Sequence, residues 1–207
     1  MRFTRSLVFL VKIDSMIYQS FLSNDLLTTS IIKSGIQNWY ELIDIVSKLP
    51  YGRNANRTDF SLVLTEQKGT CSSKHAFLKT VADLNQIPDV KLILGMYKMN
   101  EENTPGIGSA LIENQLDYLP EAHCYLQISD EKVDFTSENS SFNRIKNVIL
   151  TEIEIKPKQV GDWKVDYHKS YLRNWQKQQG VSLSFEDLWS IREKCIANLS
   201  LKKMKNQ

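Results

Sequence analysis

The spacing of hydrophobic residues changes from helical to strand-like and back along this chain. Four apolar residues ahead of Pro50 recur at the three- and four-residue steps of one helix face, which predicts that the chain up to about residue 49 is helical. They are Trp39, Leu42, Ile43 and Val46. Pro50 and Gly52 end this helical part.

A short β-prone run and a second helix come next in the chain. Residues 60–64 have the composition of a strand, and a polar segment then leads into a predicted helix over residues 71–85. Thr70 or Ser72 is its N-cap, and Pro88 ends it. The residues predicted for its buried side are Ala76, Phe77, Thr80, Val81 and Leu84.

The strand pattern is strongest in the middle of the chain. Residues 90–97, 122–128, 132–135 and 148–155 are the predicted strands, and a tight turn at residues 129–131 joins the second to the third. Residues 99–121 form a long connection, broken by four proline or glycine residues, that leads directly into the predicted strand at 122–128. We therefore expect it to border a cleft beside that strand, and its glycines should let it move as a lid.

Helical spacing returns in the last quarter of the chain. Residues 162–179 and 185–199 have the pattern of amphipathic helices, and Gly180 separates them. Four aromatic residues at four-residue steps are typical of a packing stripe: Trp163, Tyr167, Tyr171 and Trp175. The order of elements predicts an α+β fold, with a small antiparallel sheet and helices at both ends.

Length and composition are those of one globular domain. The 207 residues are 42% hydrophobic and 24% charged. We divide this single domain into an N-terminal helical part (residues 1–59), a core (residues 60–157) and a C-terminal helical extension (residues 158–207). The net charge of +2 is too balanced for a phosphate-tracking surface, so nucleic acid is not an expected partner.

The early apolar run at residues 6–13 is shorter than a membrane span. The bulky residues 16–19 follow it where a signal peptide would need a small-residue cleavage site. We therefore expect a cytoplasmic protein that does not enter a membrane.

Cys71 is the first candidate for chemistry. The chain has three cysteines, an odd number at irregular spacing, which favours a reactive thiol over a disulfide framework. A cysteine at the start of a helix lies among unpaired backbone N–H groups and at the positive end of the helix dipole, so its thiolate is favoured. The same amides, including that of Ser72, can point at a developing oxyanion.

His123 and Asp134 supply the base and the group that orients it. With a two-residue turn at Ser129 and Asp130, Asp134 faces Tyr125 and lies diagonal to His123 on the same face of the sheet. Diagonal neighbours are about 7 to 8 Å apart at the backbone, which lets a carboxylate reach an imidazole. A slip of one residue would move Asp134 to the other face.

The arrangement of these residues along the chain resembles that of the transglutaminase-like superfamily. The resemblance rests on Gly69-Thr70-Cys71 opening a helix, His123 on a strand and Asp134-Phe135-Thr136 on the next strand, and it covers residues 60–140. It implies a papain-like fold in which Cys71 is the nucleophile, His123 the general base and acid, and Asp134 the orienting group. Two departures are His123-Cys124-Tyr125 in place of His-Ala-Trp, and no aromatic residue soon after Cys71.

Alternatives remain for several residues. Gln67 is a candidate oxyanion donor through its side-chain amide, as in papain-like proteases, although the spacing differs. Cys71, His75, His123 and Cys124 would also be four zinc ligands, but adjacent strand residues point to opposite faces and cannot easily converge on one ion. We expect His75 to be a partly exposed helix residue or a neighbour of the site, and His168 to be on the surface.

The resemblance implies a cysteine-dependent acyl-transfer enzyme with a thioester intermediate. The expected reaction is hydrolysis of an amide or peptide bond in a peptide, protein or small amide substrate, with no cofactor and no metal. The alternatives are transfer of the acyl group to an amine and a catalytically silent peptide-binding module with the same fold. The pattern does not indicate an oligomeric state.

Overall fold

The fold is α+β, and the computed structural model describes residues 20–204. This part of the chain contains seven α-helices and four strands. The helices are α1 (Leu26–Lys33), α2 (Trp39–Lys48), α3 (Leu62–Thr65), α4 (Cys71–Leu84), α5 (Ala110–Glu113), α6 (Asp162–Gln179) and α7 (Phe185–Met204). The segments 6–13 and 16–19, which entered the expectation about membranes and signal peptides, lie outside the described residues.

The four strands form one antiparallel sheet in the order β3-β2-β1-β4. They are β1 (Val90–Met99), β2 (Leu119–Ile128), β3 (Glu131–Val133) and β4 (Ile149–Ile155). Short 3-10 turns at Phe142–Arg144, Lys146–Val148 and Pro157–Val160 flank β4. All four predicted strands are therefore confirmed, although β3 is shorter than predicted.

The predicted register of the β2–β3 hairpin is confirmed. Leu126 faces Val133 and Ile128 faces Glu131, which leaves Ser129 and Asp130 as the two-residue turn. Asp134 is the first residue beyond β3 and continues this register towards Tyr125. His123 and Asp134 thus lie on the side of the sheet that the alternation predicted.

The two faces of the sheet are covered by different helices. Alternate residues of β1 and β2, such as Leu94, Met96 and Leu126, pack with α1, α2 and α4 in one buried cluster. The opposite face, which carries Ile93 and Tyr125, packs with α5, α6 and α7 in a second cluster. This two-sided core makes the terminal helices part of the same packed structure as the sheet.

Two predictions about local structure are wrong. The run at residues 60–64 is not a strand, because Asp59 accepts hydrogen bonds from the N–H (3.1 Å) and hydroxyl (2.6 Å) of Ser61 and starts the helical turn α3. On α4, Leu84 is 37% exposed, whereas Leu78, on the side that faces the core, is fully buried.

The aromatic stripe on α6 is mainly a packing feature, as predicted. Trp175 is buried in the second cluster, and Tyr167 and Tyr171 pack at the edges of the core. Trp163 is 40% exposed and stacks on Tyr167 at 5.4 Å between ring centroids. Among the described helices, none combines the length and the apolar character that crossing a bilayer requires.

Candidate active site

Cys71 is the first residue of α4, and the chain before it is shaped to start that helix. The Thr70 hydroxyl accepts the Ser73 N–H at 3.3 Å, and the Ser73 hydroxyl accepts the Thr70 N–H at 2.9 Å, which is a capping box. Gly69 is required here because a Cβ would lie 2.8 Å from Cγ of Lys74. The backbone N–H groups of Cys71 and Ser72 fall in the first turn, where a helix has no earlier carbonyl to bond them.

The pKa of the Cys71 thiol is lowered to about 6. Burial acts to raise this pKa, but the nearby charges, first that of His123 and then that of Lys164, outweigh it. A thiol with this pKa is mainly thiolate at neutral pH. Cys71 therefore has the ionisation state of a nucleophile.

His123 is hydrogen-bonded to Asp134, with 2.9 Å between Nε2 and Oδ2. Nδ1 is then the ring nitrogen left for Cys71, whose charge also acts on the imidazole. Burial acts to lower the pKa of His123, but Asp134 and the Cys71 thiolate raise it well above its usual value. The lowered pKa of the Cys71 thiol and the raised pKa of the His123 imidazole together favour a thiolate–imidazolium pair.

The Asp134 carboxylate is held by more than His123. Its Oδ1 accepts the Thr136 N–H at 2.9 Å and the Thr136 hydroxyl at 2.6 Å, which gives the Asp-x-Thr sequence a structural reason. Burial acts to raise the pKa of Asp134, but the His123 charge and hydrogen bond keep it well below its usual value. Asp134 is thus an ionised, oriented partner for the imidazole.

The short strand β3 opens the sheet edge at the position where Cys71 approaches. β3 pairs only with residues 126–128 of β2 and ends before the level of Cys124. In a hairpin with a two-residue turn, Ile128, Leu126 and Cys124 direct their backbone groups to the same edge. The Cys124 backbone therefore lies beyond the paired part of this edge, and it is one of the groups that lower the pKa of the Cys71 thiol.

Two buried polar residues of α4 anchor the segment that carries Asp134. His75 Nε2 accepts the Phe135 N–H at 2.8 Å, so Nδ1 carries the proton and donates to the Cys71 carbonyl at 2.8 Å. Lys74 is fully buried, and its Nζ donates to the carbonyls of Leu49 (2.6 Å) and Thr136 (2.8 Å). Both residues therefore link helix α4 to the segment that carries Asp134.

Two cavities meet at Cys71. The first, of about 340 Å³, lies between the start of α4 and helices α6 and α7, and it contains five basic side chains: Arg53, Arg57, Lys164, Lys169 and Arg192. We call it the cationic cavity. The second, of about 400 Å³, contains His123 and Asp134 and is lined by hydroxyl and amide side chains including Thr104, Thr136 and Ser140; we call it the hydroxyl-lined cavity.

The connection over residues 99–121 borders the hydroxyl-lined cavity, as predicted. Asn103, Thr104 and Pro105 line it, and the Thr104 hydroxyl hydrogen-bonds that of Tyr97 at 2.9 Å. β1 and β2 extend to Met99 and from Leu119, so the connection is shorter than its predicted bounds. Its movement as a lid stays a prediction.

Sequence reasoning missed the residues that α6, α7 and the start of β2 bring to the site. Lys164 Nζ donates to the Ser72 hydroxyl at 2.8 Å. Glu121 lines both cavities and accepts two hydrogen bonds from Arg192, at 2.8 Å from Nε and 2.5 Å from a terminal nitrogen. Of these residues, only Glu121 could have been found from the sequence, because it precedes His123 by two residues and so lies on the same face of β2.

The remaining candidate residues differ in their surroundings. The Gln67 amide donates to the Leu64 carbonyl at 2.5 Å, and Gln67 lines neither cavity. Ser72 lines the cationic cavity, with its hydroxyl 3.9 Å from the Cys71 sulfur. Cys124 and Cys195 are fully buried.

The burial of His75 decides between two predicted alternatives, and the burial of His168 corrects a prediction. His75 is fully buried beside the site, so it is a neighbour of the site and not a partly exposed residue. His168 is 2% exposed and its Nε2–H donates to the Pro120 carbonyl at 2.8 Å, so the expectation of a surface residue is wrong. A buried imidazole needs such a partner, and hydrophobic spacing does not reveal one.

No family model matches the sequence, and no curated protein or solved structure matches the chain. A function for this chain therefore rests on its fold and on the geometry of its site.

Proposed function

We propose that this protein is a cysteine-dependent acyl-transfer enzyme with a papain-like, transglutaminase-like core that hydrolyses an amide or peptide bond. The observation that carries the proposal is the linked set at the sheet edge. Asp134 holds His123 at 2.9 Å, Cys71 lines the same cavity as both residues, and the charge of His123 is the main influence that lowers the pKa of the Cys71 thiol, to about 6. These are the roles of nucleophile, general base and acid, and orienting group.

The first half of the reaction forms a thioester. The Cys71 thiolate attacks the carbonyl carbon, and the N–H groups at the start of α4 stabilise the oxyanion. The imidazolium of His123 gives its proton to the leaving nitrogen as the carbon–nitrogen bond breaks. The acyl group is then bound to sulfur and His123 is neutral.

The second half regenerates the thiolate. Neutral His123 takes a proton from water, and the oxygen attacks the thioester carbonyl. Collapse of this intermediate breaks the carbon–sulfur bond and releases the carboxylic acid, while the proton stays on His123. Asp134 stabilises the imidazolium throughout without taking a proton.

Turnover of an activated acyl amide by the Cys71→Ala variant tests the proposal. We expect turnover to fall to the uncatalysed rate in Cys71→Ala and to persist in Cys195→Ala, since Cys195 is buried in α7 away from both cavities. Full activity in Cys71→Ala would overturn the proposal. Hydroxylamine added to the assay traps the thioester as a hydroxamate and reports whether an amine competes with water.

The pH dependence of Cys71 alkylation provides a second test. The rate with iodoacetamide should rise with a midpoint near pH 6, because the lowered pKa leaves the thiol protonated only below that value. Cys195, whose pKa burial raises to about 11, serves as the internal comparison in peptide mapping. A Cys71 that reacts no faster than Cys195 at pH 7 contradicts an activated thiolate.

We also infer a cytoplasmic location. Cys71, Cys124 and Cys195 are all free thiols, and reducing compartments maintain free thiols.

A further inference from the structure

We propose that the substrate carries an anionic group, a carboxylate or a phosphate, on the acyl side of the scissile bond, and that the cationic cavity binds it. This inference rests on the acyl-transfer function proposed above. Its support is the charge of the cavity, the pairing of those charges and the position of His123.

The cationic cavity has more positive charge than its own carboxylates neutralise. Five basic side chains line it, against the two carboxylates of Glu121 and Glu193. Arg192 pairs with both carboxylates, and Arg53 pairs with Glu193 at 2.7 Å. The two carboxylates are therefore already engaged by two of the five cations.

Arg57, Lys164 and Lys169 make up the surplus. Within residues 20–199, none of the three forms an ion pair with a carboxylate. Lys164 donates to the Ser72 hydroxyl at 2.8 Å, and Lys169 lies over the Trp189 ring at 5.2 Å from its centroid. A cleft with a surplus of one sign of charge concentrates ligands of the opposite sign.

The position of His123 assigns the two cavities to the two halves of the substrate. His123 lines the hydroxyl-lined cavity and does not line the cationic cavity. Because His123 must reach the leaving nitrogen and the attacking water, the leaving group and water belong on its side. The acyl chain then extends from Cys71 into the cationic cavity, past Ser72 and Lys164.

The hydroxyl-lined cavity differs in charge as well as in position. Apart from the His123 imidazolium, Arg144 is the one basic side chain among its lining residues, and the cavity also contains the carboxylates of Glu121 and Asp134. It does not favour an anion. Arg144 and Arg57 therefore make a matched pair of exposed arginines, one in each cavity.

Alkylation of Cys71 by iodoacetate and by iodoacetamide tests the proposal without any substrate. The two reagents form the same carbon–sulfur bond and release iodide, but only iodoacetate carries a carboxylate. The ratio of their rate constants cancels changes in the thiolate fraction, so Lys164→Gln can be compared fairly although Lys164 also acts on the Cys71 pKa. The reference is the same ratio for glutathione.

We expect the ratio of iodoacetate to iodoacetamide to be at least about tenfold higher for Cys71 than for glutathione. Arg57→Gln and Lys164→Gln should each lower it by about threefold to tenfold, and raising the ionic strength to about 0.5 M should lower it too. Arg144→Gln and Lys177→Gln remove one positive charge outside the cationic cavity and should leave it unchanged. In turnover, the glutaryl amide of an aminocoumarin should be preferred over the neutral pentanoyl amide, and Arg57→Gln should reduce that preference.

The outcomes separate this inference from the proposed function. If Cys71 reacts rapidly with both reagents at the ratio found for glutathione, the acyl-transfer proposal stands and the anion proposal is overturned. If Arg144→Gln lowers the ratio and Arg57→Gln does not, the anion lies on the leaving-group side and the assignment is overturned. If Cys71 reacts with neither reagent, both proposals fail.

Discussion

His75 joins two parts of the site with its two ring nitrogens. One nitrogen donates to the carbonyl of Cys71 and the other accepts the N–H of Phe135, the residue after Asp134. This arrangement requires a neutral imidazole, because a protonated ring has no acceptor. Burial is the main reason that the pKa of His75 is lowered, to about 4.

The protonation of His75 should therefore destabilise the protein in mild acid. Its pKa is about 4 in the folded protein, against an ordinary value of 6.5. The neutral imidazole therefore contributes its full stabilisation above pH 6.5, and this contribution is lost as pH falls towards 4. The loss amounts to about 3 kcal/mol of unfolding free energy. Urea unfolding of the wild type at pH 7, 6 and 5 measures this slope.

The His75→Gln variant is the comparison for this prediction. Its side-chain oxygen can still accept the Phe135 N–H, but it does not titrate, so its unfolding free energy should fall less steeply with pH than that of the wild type. Equal slopes for the two proteins over this range would contradict the assignment.

Residue types and order alone indicated Cys71, His123 and Asp134, but they did not indicate His75 as the residue that joins them. The helical spacing of His75 is compatible with either a buried or a partly exposed side chain. Its role depends on Phe135, which lies 60 positions away in the sequence. No local pattern relates two residues at that distance.

Helix α4 depends on the capping box at its first turn for the position of Cys71. Thr70 and Ser73 bond each other's backbone N–H groups, so the helix begins at Cys71 and not a residue later. The sequence narrowed the N-cap to Thr70 or Ser72, because both residue types are favoured there. It did not indicate the partner Ser73 or the buried Lys74 that Gly69 must accommodate.

Replacing Thr70 by Val removes the capping hydroxyl and keeps the shape of the side chain. We expect a loss of about 1 kcal/mol in unfolding free energy, with little loss in Thr70→Ser. Thr80→Val is the matched control, since the Thr80 hydroxyl bonds the Ala76 carbonyl inside the same helix at 2.8 Å. Denaturant unfolding measures all three, and an equal loss in Thr80→Val and Thr70→Val would argue against a capping role.

The β2–β3 hairpin shows how far element-level rules reach. A two-residue turn and strict alternation were enough to predict that Asp134 continues the register towards Tyr125. The run at residues 60–64 shows the limit of these rules. A strand needs a neighbouring strand to pair with, and the local hydrogen bonds of Asp59 favour a helical turn instead.

The Glu121–Arg192 ion pair connects the sheet to the last helix of the described chain. The side chain of Glu121 is 6% exposed and that of Arg192 is 11% exposed. Burial acts to raise the pKa of Glu121, but Arg192 lowers it to about 2. The pair therefore links β2, which carries His123, to α7, which closes the cationic cavity.

Removing Arg192 should leave a buried charge without its partner. We expect Arg192→Met to cost about 3 to 5 kcal/mol of unfolding free energy at pH 7. The deficit should shrink as pH falls towards 5, because protonation of Glu121 removes the charge. Thermal or urea unfolding at the two pH values measures both effects.

The Glu121→Gln, Arg192→Met double variant is the control for this experiment. This variant has no buried carboxylate left without a partner, so its stability at pH 7 should exceed that of Arg192→Met alone. A double variant as unstable as the single one would mean that lost packing of Arg192, and not the charge of Glu121, explains the effect.

The sequence by itself determined the long periodic segments, the order of Cys71, His123 and Asp134, and the hairpin register, because each depends on rules that act over a few residues. Only the tertiary structure decided the cationic cavity, the contact of Lys164 with Ser72 and the Glu121–Arg192 pair. Lys164 and Ser72 are 92 positions apart, and Glu121 and Arg192 are 71 apart. Hydrophobic spacing shows that α6 and α7 each bury one face, but only packing against the sheet determines which charged side chains then reach the cleft.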